Sequence, residues 1–295
     1  MRRLITICAV VVLFNTGYAG ATGTWTTLDA QGSNSTYVFD IDGSNLVGQF
    51  WDGSRERGFR YNGTNWTTID ASGASFTGVH GINGDKIVGC YESGGWHGFL
   101  YDGTDWTTLN VPGANHTYAY GIDGSNIVGY YSNATGNMHG FLYNTTEQSW
   151  TTLDALGAYG TYVQGVSGNN LAGFYYDASG NAHGFLYNTV GQSWTTLDSS
   201  GSNFTQFYGI DGSNLVGYYG DGSGTHGLLY NMTNQNWTTI DAPSVSWTEV
   251  LGIEGSNLVG MYNDGSVFHG FIYEIPEPAT LLLLGLGAAI VRRKL

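Results

Sequence analysis

Histidine and carboxylate recur in register along this chain. His97, His139, His183, His226 and His269 each precede a glycine, and aspartates at 29, 70, 154, 198 and 241 each close a Trp-Thr-Thr-(Leu/Ile)-Asp segment. Brought to one point, such residues could bind a metal or relay protons. They are not close in sequence. Each type returns once per unit, at the 40- to 44-residue spacing of Trp25, Trp66, Trp106, Trp150, Trp194 and Trp237. Copies in a tandem array are spread from unit to unit, so each His is expected to bond a neighbouring turn. Each Asp is expected to serve as a cap or turn acceptor, and Asn110 fills that place in one copy without a charge. Asp40-Ile41-Asp42-Gly43-Ser44-Asn45 alternates oxygen side chains, but calcium needs about six to eight oxygens and a downstream bidentate acid. An ordinary hairpin turn is the better reading there. No metal and no cofactor is expected.

Residues that break the repeat are stronger candidates for function, because function on a repeated scaffold lies in what differs. Arg55, Arg57, Arg60 and Lys86 fall in the first two units, with Trp51, Glu56, His80, Glu92 and Trp96. Trp51, Arg55, Arg57, Arg60, Lys86 and Trp96 make a candidate ligand patch, aromatic and cationic. Arginine forks match carboxylates, so an acidic polysaccharide is the expected ligand. There is no nucleophile elbow, HExxH or phosphate loop, and no catalytic residue is assigned. A pair of acids cleaving a polysaccharide, as a hydrolase or lyase, is the alternative.

The elements that carry these residues follow from the period. Units of about 40 residues cannot bury their own apolar faces and must stack on neighbours. In the second unit, runs at 76–82, 87–91, 96–101 and 106–110 alternate with turns such as Asn83-Gly84 and Asp102-Gly103, the strongest short hairpin signal. Four short strands per unit predict an all-β, six-bladed β-propeller. Glycines at 48, 89, 129, 173, 217 and 260 fall mid-strand, where a side chain is expected to block the next blade. The chain opens with a lone Trp25–Asp29 segment and its last unit lacks that strand. The first segment is therefore expected to pair beside His269–Tyr273 and close the ring, leaving no free edge. An open β-solenoid is the rival fold.

Three parts are expected: a signal peptide at 1–21, the propeller at 22–274 and a tail at 275–295. Arg2 and Arg3, an apolar run and Ala19-Gly20-Ala21 have the order of a secretory signal. Without both ends, Cys90 is the one remaining cysteine and allows no internal disulfide. The net charge is −14, and five of the nine basic residues lie in the two end segments. So acidic a chain repels nucleic acid, which is excluded as a partner.

The tail carries Pro276-Glu277-Pro278, an apolar run at 281–291 expected to be a short helix, and the basic cluster Arg292, Arg293 and Lys294. This order resembles the PEP-CTERM sorting signal of Gram-negative bacteria. The resemblance implies recognition by an exosortase-type processing enzyme, transient inner-membrane anchoring and delivery to the cell surface or extracellular matrix. Gly-Ile-Asp-Gly-Ser-Asn-Ile-Val-Gly (121–129) and His139-Gly-Phe-Leu-Tyr resemble the HAF family of extracellular repeats, which implies an exported propeller-like array. The expected function is a non-enzymatic structural or adhesive component of the surface or matrix, binding a polysaccharide or matrix protein.

Overall fold

The computed structural model describes residues 23–276. The signal-peptide segment, Glu277, Pro278, the expected C-terminal helix and Arg292, Arg293 and Lys294 lie outside the described residues. Within them the chain is all-β: 24 strands form six antiparallel four-stranded sheets, the blades of a six-bladed propeller. Blade one comprises Ser35–Asp42, Asn45–Trp51, Glu56–Tyr61 and Trp66–Ile69. Blades two to five repeat that order over residues 76–109, 116–153, 160–197 and 204–240. Blade six contains Thr248–Glu254, Asn257–Asn263 and Phe268–Glu274, with Thr24–Leu28 as its outer strand and Trp25 opposite Tyr273.

The repeated phrases are packing devices. Each Trp of Trp-Thr-Thr stacks on a third-strand Tyr at 4.3–5.1 Å between centroids, as Trp150 does on Tyr143. In five blades the second Thr bonds a second-strand tyrosine hydroxyl, for example Thr152 with Tyr131 at 3.0 Å. The buried hydroxyls of Thr36, Thr77, Thr117, Thr161, Thr205 and Thr248 each accept the backbone N–H that follows the Trp-Thr-Thr segment, at 3.0–3.1 Å. Such bonds satisfy backbone groups that burial would otherwise orphan.

Glycines at three repeated positions set the spacing. One of them, Gly81 and its equivalents, lies against the next blade's inner strand, where a Cβ at Gly81 would meet the Tyr120 carbonyl at 2.3 Å. A Cβ at Gly48 would strike the Tyr37 carbonyl at 1.9 Å and the Phe59 ring, both in its own blade. The expectation that these mid-strand glycines clear the next blade is therefore corrected. A bulge in the inner strand, at Val38/Asp40 and its five equivalents, disturbs the ladder beside these glycines. Close approach between blades rests on the Gly81 set and on the glycine after each His or Arg57. A Cβ at Gly140 would meet Val163 of the next blade at 2.6 Å, and one at Gly270 would meet Val38 at 2.7 Å.

The strands also define two ends of the ring. At the turn face lie the hairpins between first and second strands, where Gly43 and its equivalents hold φ of 53–62°. There the side chain before each glycine accepts the next blade's glycine N–H: Asp42 from Gly84, Asn83 from Gly124, Asp123 from Gly168, Ser167 from Gly212, Asp211 from Gly255 and Glu254 from Gly43. The Asp-Gly repeat is thus a hydrogen-bonded belt, which uses Asp42 as an acceptor. At the opposite loop face lie the hairpins between second and third strands and the crossings between blades. Strands of seven residues separate the two faces by roughly 20 Å.

Candidate functional site

The five His-Gly imidazoles sit on the loop face, one per blade. Each places Nδ1 at 2.8–3.0 Å from the residue that follows its blade's outer strand: His97 on Asn110, His139 on Asp154, His183 on Asp198, His226 on Asp241 and His269 on Asp29. Nε2 of His183, His226 and His269 faces a second carboxylate, of Asp177, Asp221 and Asp264. Burial pushes these three imidazoles down, but bonds to the two carboxylates outweigh it and raise their pKa values above 6.5. Arg57 occupies the same place in blade one, bridging Asp52 and Asp70. Among the described residues no group of three or more His, Cys, Asp or Glu is arranged to hold a metal ion.

The structure does not bring the four repeat-breaking cations together. Arg55 and Arg57 converge on Asp70 at the loop face, where Trp51 is exposed. Arg60 reaches Asn45 and Asp85 at the turn face, and Lys86 reaches the Gly124 carbonyl there. Trp96 packs its ring against Phe76 and Tyr118, at 4.9 and 5.5 Å.

An open cleft of about 650 Å³ instead lies across blades four, five and six on the loop face, a size suited to a small ligand. Its walls include Tyr176, Phe204, Tyr218 and Trp247, with Asn181, Asn203, Gln206, Asp221 and Glu249 between them. Trp247 is 44 % exposed. One position in the repeat explains the opening. The residue before each His-Gly or Arg-Gly pair is Glu56, Trp96, Met138, Ala182, Thr225 or Phe268 in turn. Trp96 fills the boundary of blades two and three, and Phe268 fills that of six and one, against Tyr37. Ala182 and Thr225 are small and buried in the cleft wall, so the two consecutive boundaries they border stay open.

Glu249 is the buried acid of this cleft. Its blade equivalents are Tyr37, Gly78, Tyr118, Tyr162 and Gln206. Burial raises its pKa to about 7, although the Trp247 indole N–H donates to it at 2.8 Å. Tyr218 donates to Gln206 at 2.8 Å and lies 3.2 Å from the Tyr208 hydroxyl, which extends the polar cluster toward the axis. Asp221 stays ionised, with a pKa near 2, because the Ser223 hydroxyl and backbone N–H bond it. Burial also raises Glu56 to about 7, and its Oε2 has no partner.

The axis holds a second set of symmetry-breaking residues. Phe39, His80, Tyr120, Gln164, Tyr208 and Leu251 are the extra residues of the six bulges and project around the channel. His80 stacks on Tyr120 at 4.1 Å and bonds the Ala119 carbonyl through Nδ1. Burial lowers its pKa to about 4, so it is a neutral packing imidazole. Asp40, raised to about 7 by burial, accepts from the Ile82 N–H instead of gathering calcium ligands.

Residues 274–294 match the PEP-CTERM protein-sorting motif. That motif is the signal read by an exosortase and directs export to the cell surface in Gram-negative bacteria. No curated protein matches the chain. Among solved structures it is similar to TolB from Acinetobacter baumannii, with 14% identity and a TM-score of 0.53 over 81% of this chain and 63% of that one. It is similar to the Aleuria aurantia lectin, solved with Fucα1-6GlcNAc, with 15% identity and a TM-score of 0.53 over 84% and 96%. Trypanosoma rangeli sialidase matches with 13% identity and a TM-score of 0.53 over 88% of this chain and 56% of that one. The chain therefore spans less than two thirds of the TolB and the sialidase. At such identities the likeness shows the propeller fold alone.

Proposed function

We propose that the chain is a non-enzymatic surface or matrix protein that binds a neutral saccharide in the cleft of blades four to six. The observation that carries this reading is the cleft's lining: four aromatic rings with side-chain amides and carboxyls between them, and no cation. Aromatic faces pack on the C–H faces of sugar rings, while amides and carboxyls bond their hydroxyls. Two carboxyl groups, with no arginine or lysine, disfavour an acidic ligand. Retaining Glu249 buried where other blades carry Gly, Tyr or Gln costs stability, which points to use. The Aleuria lectin, bound to a neutral disaccharide on a similar fold, accords with this reading. Closure of the ring by Thr24–Leu28 would keep the three blades rigid, as its pairing in blade six supports.

The presence in one cleft of Glu249, with its pKa raised to about 7, and an ionised Asp221 favours a second reading, acid-base cleavage of a glycosidic bond. Against it, Asp221 is already bound to the turn at Ser223 and to His226. The test is a panel of neutral and acidic bacterial polysaccharides, scored for binding and for new reducing ends. Binding of a neutral glycan without product supports the adhesive reading. Product that disappears in Glu249→Gln would replace it with the hydrolase, and binding confined to acidic glycans would refute the assignment of the cleft.

A further inference from the structure

The two ends of the folded chain leave from one face of the ring. Thr24 and Glu274 pair with each other, and Glu274 also pairs with Asn257, which ends the blade-six hairpin at the turn face. Ile275 follows at once, donating its N–H to the Ser256 carbonyl at 2.8 Å and packing on the core of blade six. Pro276, the first residue of the sorting motif, comes next, so no spacer separates motif from propeller. The cleft opens on the opposite face: Thr225 begins the third strand of blade five and Glu249 lies at the start of the inner strand of blade six, whose other end, Glu254, is at the turn face. Roughly 20 Å of strand lies between.

We infer that the two faces have separate jobs: the turn face is held toward the membrane while the tail is attached, and the cleft is presented outward. This rests on the reading that the apolar tail segment enters the membrane, and it is independent of what the cleft binds. The five residues from Pro276 to Thr280 that precede the apolar run span at most about 17 Å, less than the distance between the two faces. They cannot bring the loop face to the membrane, whereas a flexible linker of many residues could. The belt at the turn face carries Asp42, Asp123, Asp211 and Glu254 toward that surface. Those acids would be repelled by anionic lipid and would not adhere to it.

The orientation is tested by single-cysteine labelling of the full-length chain, expressed in a host without the processing enzyme and collected in membranes. Cys90 is buried and does not compete, and Cys8, in the signal segment, is replaced by serine in every variant. Ser179→Cys places a thiol on the exposed hairpin beside the cleft, and Ser44→Cys places one on the exposed turn of blade one. With a bulky, membrane-impermeant maleimide, the thiol at position 179 should react severalfold faster than that at 44. A long Gly/Ser insertion between Ile275 and Pro276 should bring the two rates together. Equal rates without the insertion, or faster reaction at 44, would overturn the orientation. Absence of the chain from the membranes would overturn the anchoring it rests on, and neither result touches the saccharide assignment.

Discussion

The boundary between blades two and three and the boundaries across blades four to six share one backbone plan and differ most in the size of the residue before His-Gly. At the first, Trp96 lies across the groove against Phe76 and Tyr118. At the others Ala182 and Thr225 leave it open, and Glu249 lies buried in the hollow. A repeated scaffold can thus be equipped with a site by subtraction. Where the unit supplies a large ring the boundary is core, and where it supplies a small side chain the boundary is surface.

Closing the open side should have the largest effect. Thr225→Trp places on the cleft wall the ring that blade two already carries. All measurable saccharide binding should vanish in calorimetric titration, with the melting temperature little changed. Next in size is Glu249→Gln. A buried acid with a raised pKa costs nothing while neutral in both states, and its cost grows as pH climbs from 4.5 to about 7. By linkage the substitution should stabilise the protein by roughly 3 kcal/mol at pH 8 and scarcely at all at pH 4, read from urea unfolding. His183, His226 and His269 act in the same direction. Their raised pKa values contribute stability at low pH that is lost as pH rises beyond 6.5. The residual slope in the variant reports on them together with Asp40 and Glu56, whose raised pKa values act in the same sense.

Opening the filled side is the converse experiment. Trp96→Ala should cost about 2 kcal/mol, less than a fully buried ring would, and leave a new hollow between blades two and three. Smallest of all is Arg57→His, which returns blade one to the repeat. Its ion pairs with Asp52 and Asp70 are partly exposed, so stability should move by no more than about 0.5 kcal/mol in the same unfolding assay.

The fold was legible because its signals are local and repeated six times: a turn glycine after the inner strand, a Trp-Thr-Thr strand and a nearly fixed period. The His-Gly imidazoles are expected from the repeat to bond a neighbouring turn, and each bonds the Asp or Asn that follows its own blade's outer strand. The site was less legible. Arg55, Arg57, Arg60 and Lys86 stand out by charge, yet a single strand, Glu56–Tyr61, carries Arg57 and Arg60 to opposite faces of the ring. The cleft depends on what is missing. Ala182 and Thr225 announce no chemistry, and their meaning is visible only when set against Trp96, Met138 and Phe268. That size alternation before the His-Gly pair was present in the sequence, as was Glu249 at a position held elsewhere by Gly, Tyr or Gln.

The most direct test of the central claim is a crystal structure of the protein with the neutral glycan that binds best. The account predicts a sugar ring against Trp247, with hydroxyls bonded to Glu249 and the cleft amides of blades four and five. Density for the glycan at Trp51 and Arg55, or anywhere outside the cleft, would contradict it.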